Sequence, residues 1–215
     1  MDKISIISPV YNAEECLEEL VKQIKLNLKK YKKKIEIILI NDCSTDNSWI
    51  KILKIKKKNK FLKIYNFKKN FGQQYAFRYG AERATGDKIF FLDCDLQHHP
   101  KFFSEFLNNY ADNNIIVGKL DMISTVKKGF VSNIFWLFYS LLKFKNYLFI
   151  SNYILVSKKI VKKLILKKKI TFLYKDLISL NFNSTFIKFT RSDRFAGKSS
   201  YSFVKLIKFA FSLFK

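Results

Sequence analysis

Glycine and proline are scarce in this 215-residue chain, at 6 and 2, and cysteine occurs three times. Cys16, Cys43 and Cys94 are odd in number, far apart and without a CxxC pair, and there are only 2 histidines. A disulfide framework and a structural zinc site are both unsupported. No glycine-rich phosphate loop follows the first strand-like run, and neither GxGxxG nor GxxxxGK[ST] occurs. A Rossmann dinucleotide enzyme and a P-loop ATPase thereby lose their main sequence support. Acids are few too, 17 Asp and Glu against 41 Lys and Arg. No stretch reaches 18 uninterrupted apolar residues, so no membrane-spanning helix is expected. The opening run from Ile4 to Ser8 reads as a strand rather than a leader, and a reducing cytoplasm is the expected home.

Apolar residues make up 48% of the chain, with 23 Phe, which excludes general disorder. This length can bury the core of one α/β domain with a small appendage. A formal charge of +24 predicts attraction to nucleic acid, nucleotide phosphates or an acidic membrane surface. A genome-wide preference for Lys, Ile, Phe and Asn codons is an alternative source of the same excess.

The first half alternates short apolar runs with helical patterns. Ile4 to Ser8 predicts a strand ended by Pro9, and Cys16, Leu17, Leu20, Val21, Ile24 and Leu28 then fall at helical spacing. Ile35 to Ile40 predicts a second strand, followed by the polar run Asn41 to Asp46 and a short helix from about Asn47. A weak strand at Leu62 to Tyr65, a helix over Gly72 to Ala84 and a strand at Lys88 to Leu92 complete the rhythm. A helix over Lys101 to Tyr110 and a strand at Asn114 to Gly118 follow. Such alternation predicts a mainly parallel sheet with ligands outside the carboxyl ends of its strands. Pro9 to Asn12, Asn41 to Asp46 and Asp93 to Gln97 all fall on that edge.

The most informative of these clusters follows Ile89-Phe90-Phe91-Leu92. In extended geometry Asp93 and Asp95 share one side, and Gln97 joins them if the chain stays extended. Hard oxygen ligands of this kind suit Mg2+ or Mn2+ holding phosphate oxygens. An ordinary acid-bearing turn at a strand end has the same spacing. Tyr11 and Asp42 are positioned to supply base stacking and a base or ribose acceptor, although Tyr11 reads equally as a packing residue.

The second half changes character. Phe130 to Leu142 is aromatic and apolar, bordered by Lys127, Lys128, Lys143 and Lys145, as a core helix or one lying on an anionic bilayer would be. Lys158 to Lys169 contains seven lysines, and Phe203 to Lys215 repeats the basic, apolar pattern. Lys51 to Lys69 carries nine lysines and no acid, as a nucleic-acid face might, but no recognised nucleic-acid module accompanies it. Nucleic acid is the less favoured partner.

Together these motifs resemble the family 2 glycosyltransferases, in particular the branch of dolichyl- and undecaprenyl-phosphate sugar synthases. Ile6 to Glu15 is similar to the family's opening strand and nucleotide-contacting loop, including Pro9, Tyr11 and Glu14. Ile40 to Ser48 resembles a motif usually read Asp-Asp-Gly-Ser-Thr-Asp, with Asn41 for the first carboxylate and Cys43 for the glycine. Asn70 to Asp87 resembles the helix before the metal motif, and Asp93 to Pro100 resembles Asp-x-Asp-Leu-Gln-x-Pro-Pro. Gly118-Lys119 stands where relatives often show Gly-Arg, and Arg191 to Tyr201 resembles the downstream arginine and Gly-x-Ser-x-Tyr block.

The resemblance implies an A-type α/β fold with a mainly parallel central sheet, flanking helices and a basic amphipathic C-terminal region. Residues 1–118 would form a nucleotide-sugar-binding core, with 119–215 completing the domain on the acceptor and membrane side. Asp93, Asp95 and Gln97 are the implied metal residues, for Mg2+ or Mn2+. Asp93, Asp95, Arg191 and Arg194 are the implied catalytic group, the arginines facing phosphates. Pro9, Tyr11, Glu14, Asn41, Asp42, Asp87, Asp93, Lys119 and Ser199 would contact the nucleoside-diphosphate sugar, UDP favoured. No residue after Gln97 clearly resembles a catalytic acid, and Asp176 reads as structural. That favours a polyprenyl phosphate acceptor over a saccharide hydroxyl, which needs a base. The implied setting is peripheral, on the inner face of the plasma membrane, with an anionic lipid surface or a membrane-embedded partner. A lipid-linked or cell-surface saccharide acceptor, or a nucleotide-sugar-binding protein without turnover, are the alternatives.

Overall fold

Apolar runs long enough to be covered on both faces form the centre of the sheet. Ile4–Val10 (β1) and Ile35–Asn41 (β2) are buried along their whole length, as parallel strands between two helical layers must be. Leu62–Asn66 (β3) and Lys88–Phe91 (β4) flank them, giving a parallel set β3-β2-β1-β4. The computed structural model describes residues 2–112, 114–120, 150–167, 172–190 and 195, apart from the side chains at 32 and 33. Arg191, Arg194, Ser199, the Phe130 to Leu142 run and the Phe203 to Lys215 run lie outside the described residues.

Asn114–Leu120 (β5), Ile150–Ser157 (β6) and Asn183–Phe189 (β7) extend the sheet to the order β3-β2-β1-β4-β6-β5-β7. β6 runs antiparallel to both its neighbours, and β7 runs parallel to β5. The sheet is therefore mostly parallel, as the alternating pattern implies, with one reversed strand that it does not reveal.

Leu17–Asn27 (α1), Ser48–Lys57 (α2) and Phe103–Asn108 (α4) cover one face, burying Leu17, Leu20, Ile24, Ile52, Phe103 and Phe106 against Ile6, Leu39 and Phe90. Gln73–Arg83 (α3), Lys158–Ile165 (α5) and Leu173–Ile178 (α6) cover the other, over Ile7, Ile38, Ile89 and Ile154. Each fully buried Leu, Ile or Phe contributes roughly 1.5–3 kcal/mol. α1 shows the logic in sequence: Leu17, Leu20, Val21 and Ile24 recur at one face, with Glu18 and Glu19 in the first turn and Lys25 in the last.

Pro9 does not end β1. The strand continues to Val10 and pairs with β2 through Asn41, while its pairing with β4 stops at Ile7. Ile7 O accepts from Leu92 on the β4 side, and Val10 O accepts from Asp42 on the β2 side. By alternation the imino nitrogen of Pro9 faces the β4 side beyond that strand's last residue, where no donor is needed.

At the amino edge Glu36 of β2 is 3% exposed and accepts from Ser5, Thr85 and Gly86. Lys63 Nζ lies 2.8 Å and Lys3 Nζ 3.4 Å from its carboxylate. Burial opposes the charge, but the bonds from Lys63, Ser5 and Thr85 outweigh it and hold the carboxyl at about 2 against an ordinary 4.5.

Candidate active site

Three loops leave the carboxyl edge of the parallel strands, and the first two are tied to each other. Between β1 and α1, Asn12 N and Ala13 N donate to Ser44 Oγ at 3.0 Å and Ser48 Oγ at 2.9 Å. Asn12 Oδ1 accepts from Thr45 N at 2.8 Å, and Glu14 Oε2 accepts from Asn47 N at 2.9 Å. Glu14 thus joins the β1 loop to the β2 loop. Asn41, buried at the end of β2, donates to Asn66 Oδ1 at 2.7 Å and accepts from Ser44 Oγ at 2.6 Å. An amide does here what a carboxylate could not: it donates and accepts at once.

Asp42 is buried, and both carboxylate oxygens are engaged by backbone. Oδ1 accepts from Phe71 N at 2.7 Å and Oδ2 from Gly72 N at 2.8 Å, while Asn70 Nδ2 donates to its carbonyl at 3.0 Å. Asp42 therefore fixes the turn that enters α3. Gly72 sits in that turn at φ +88°, a conformation open to glycine.

The loop after β4 carries the paired carboxylates. Asp93 Oδ1 accepts from Gln73 Nε2 at 2.6 Å and from Asn152 Nδ2 at 3.5 Å. His98 Nδ1 lies 3.3 Å from Asp93 Oδ2 without a hydrogen bond between them. Asp95 Oδ1 accepts from Gln97 N at 3.1 Å, and Leu96 between them is held at φ +61°. Gln97 and His98 are buried. Burial, then the charges of Asp95 and Asp93, push the Cys94 thiol up.

Other sequence-derived residues fall in different places. Tyr11 is half-buried in the β1 loop. Lys119 lies at the same edge, near the end of β5, with Nζ 5.8 Å from the Phe186 ring centre. Phe195 N donates to Asp95 O at 3.4 Å, bringing one residue of the downstream block against the carboxylate loop. Asp87 stands at the other end. It precedes β4, accepts from Lys3 N at 2.9 Å and binds Lys158 N through its carbonyl. The strand separates it from Asp93, so Asp87 does not join this cluster. Asp176 is structural, accepting from Lys167 Nζ at 2.9 Å and from Phe172 N at 3.1 Å before α6.

Asn152 is the site residue that sequence reasoning missed. It lies on the reversed strand β6, which no local periodicity marks as adjacent to β4. Gln73 and His98 stood within quoted motifs, but their convergence on Asp93 is a product of tertiary structure.

As a cation site, the edge offers carboxylate and amide oxygens, the hard donors that Mg2+ and Mn2+ take. Among the described residues, no group of three or more His, Cys, Asp or Glu side chains forms a self-contained cage. Mg2+ is commonly held by one or two carboxylates, with substrate phosphates and water completing the shell. The donor set fits that mode.

This sheet, with its polar loops gathered at one carboxyl edge, is the A-type glycosyltransferase fold. The profile of glycosyl transferase family 2 matches residues 5–170, and the chain belongs to that family of transferases. It is 28% identical over 213 residues to the uncharacterized glycosyltransferase sll0501 of Synechocystis sp., covering 97% of this chain and 67% of that protein. With the uncharacterized glycosyltransferase YkcC of Bacillus subtilis it shares 30% identity over 214 residues, 95% of this chain and 65% of that one. The chain thus spans about two thirds of the length of these relatives. Glucosyl-3-phosphoglycerate synthase from Mycobacterium tuberculosis, solved with Mn2+ and uridine-diphosphate-glucose, is similar with a TM-score of 0.62. That match covers 99% of this chain and 77% of the synthase at 15% identity, a likeness of fold.

Proposed function

We propose that this chain transfers a sugar, with inversion, from a nucleoside-diphosphate sugar to a polyprenyl phosphate at a membrane surface, with UDP the favoured nucleotide. The observation that carries this reading is the gathering of the β1, β2 and β4 loops on one edge, the first two bonded to each other and Asp93 of the third held by Gln73 and Asn152. The synthase structure holding Mn2+ and uridine-diphosphate-glucose supports the metal and the donor class.

In this reading the β1 and β2 loops receive the nucleoside, with Tyr11 and Asn41 beside it and Pro9, Glu14 and Asp42 fixing the loops. Asp95, with Gln97 and Asp93, would hold Mg2+ or Mn2+, which when bound neutralises diphosphate charge. Lys119, Arg191, Arg194 and Ser199 take the phosphates, a role that Arg fills well through its planar fork. Phe195, bonded to Asp95, supports bringing that block to the donor. An ionised acceptor oxygen forms the new bond to the anomeric carbon as the bond to the diphosphate breaks. Such an acceptor needs no general base. The engagement of Asp176 by Lys167 and the α6 turn agrees with that.

No helix among the described residues is long and apolar enough to cross a membrane. The proposed location is peripheral, on the inner face of the plasma membrane, with a membrane-embedded partner allowed. The test is incubation with polyprenyl phosphate, Mn2+ or Mg2+, and a panel of UDP- and GDP-sugars. A metal-dependent lipid-linked sugar is expected. Transfer only to a saccharide, or donor binding without turnover, would overturn the reading.

A further inference from the structure

α1 and α2 lie side by side on one face of the sheet, and their outer surfaces repeat the same chemistry. On α1, Lys22, Lys25 and Leu26 fall at i, i+3 and i+4; on α2, Ile50, Leu53, Lys54 and Lys57 fall at i, i+3, i+4 and i+7. Leu26, Ile50 and Leu53 are 62%, 52% and 40% exposed. Between the helices runs a cleft of about 560 Å³ lined by five lysines, Lys22, Lys25, Lys54, Lys57 and Lys58, and by one acid, Glu18.

The charge of that cleft is poorly compensated within the protein. Lys51 already pairs with Glu18 at 3.1 Å, and Lys22 with Glu19 at 3.0 Å. Lys25 donates to Asn59 Oδ1 at 3.3 Å. Lys54, Lys57 and Lys58 have no acidic partner among the described residues. Like charges gathered in one cleft attract an external anion.

We propose that the α1–α2 face docks the protein on an anionic phospholipid bilayer. Headgroup phosphates enter the lysine cleft, and Leu26, Ile50 and Leu53 enter the interfacial layer. The proposal rests on the membrane-surface reading above and adds where the contact is made. The aliphatic side chains decide between partners. A nucleic-acid backbone rewards positive charge alone, whereas a bilayer rewards charge and apolar area together. Both helices start at the carboxyl edge of the sheet. The cleft lysines run from the middle of each helix to its carboxyl end, toward the amino edge, and the Asp93–Asp95 loop lies at the opposite edge of the sheet.

Co-sedimentation with phosphatidylcholine vesicles, with and without phosphatidylglycerol, tests this on the full chain. Binding should require phosphatidylglycerol. The triple variant K54E/K57E/K58E should weaken it roughly tenfold or more. K159E/K162E/K163E, on the exposed side of α5, makes the same change in net charge and should weaken it far less. L26S/I50S/L53S should also weaken vesicle binding while leaving binding to polyuridylate unchanged. Circular dichroism and thermal melting establish that each variant folds.

Equal loss from the α5 variant would reduce the effect to bulk charge and overturn the proposal. Vesicle binding unmoved by the serine variant, with polyuridylate binding lost in the α2 variant, would identify a polyanion face and overturn it too. Lipid-sugar synthesis reads out separately. Selective vesicle binding without any product leaves the docking face standing and sinks the transfer reading. Product from detergent-dispersed acceptor with no vesicle binding does the reverse.

Discussion

Gln73 Nε2 donates to Asp93 Oδ1 at 2.6 Å, joining the first residue of α3 to the loop that follows β4. Asn152 approaches the same oxygen from β6. Groups that orient a functional carboxylate from outside typically matter by about 10–100-fold. Gln73→Leu should therefore lower kcat/KM for the donor by about that factor while the melting temperature changes little. Steady-state kinetics with varied donor would show it, and unchanged kcat/KM would remove Asp93 positioning from the mechanism.

Asp95 is the carboxylate on which the metal reading depends most. Asp95→Asn keeps the shape of the side chain and removes its charge, so it should abolish turnover in a folded protein. Product formation and Mn2+ binding by calorimetry are the two readouts. Retained activity at wild-type metal affinity would refute the role.

Asp42 gives a different expectation from the one its motif carries. Its buried carboxylate accepts from Phe71 N and Gly72 N, so replacing it removes two charge-assisted bonds that hold the turn into α3. Asp42→Ala should cost about 1–3 kcal/mol of stability. Denaturant midpoints measure this without donor present. A variant as stable as wild type, but weak in donor binding, would mean that the side chain serves the nucleotide alone.

These three residues also mark where sequence stopped being informative. The strands from Ile4 to Asn41 were legible because burial on both faces writes continuous apolar runs. Helix α1 was legible through its 3.6-residue period. β6 was not, because Ser151, Asn152 and Ser157 interrupt its apolar character and antiparallel insertion beside β4 is a long-range event. β7, with exposed Asn183, Phe186 and Lys188, has too little buried face to stand out. Asp93 and Asp95 could be placed on the carboxyl edge from strand direction alone. The same direction puts Asp87, which precedes β4, at the opposite edge, a signal present in the sequence that the motif resemblance overrode. That Asp42 faces backbone amides depends on the path of the loop from Phe67 to Gly72, which no spacing rule supplies.

Glu36 contributes to the acid sensitivity of the fold. Its folded carboxyl sits at about 2 against an ordinary 4.5, so the folded state binds its proton less readily than the unfolded chain. The stability it contributes is therefore present above about 4.5 and lost as pH falls through about 2. The size is on the order of 3 kcal/mol. Unfolding free energy should fall steeply over that window in wild type and less steeply in Glu36→Gln. Parallel curves for the two proteins would show that other carboxylates govern acid unfolding.

Cys43 occupies a left-handed conformation, at φ +58°, where the resembled motif has glycine. A side chain there costs roughly 1–2 kcal/mol relative to glycine. Glycine gives back part of the gain, because the unfolded chain becomes more flexible. Cys43→Gly should on balance stabilise the protein by about 1 kcal/mol, a rise of roughly 2–4 °C for a chain of this size. Cys43→Ala separates the causes, since it removes the thiol but keeps the Cβ. If backbone strain is the reason, alanine leaves the melting temperature near wild type and only glycine raises it. A glycine variant that melts lower would mean that the Cys43 side chain contributes more to the β2 loop than its conformation costs.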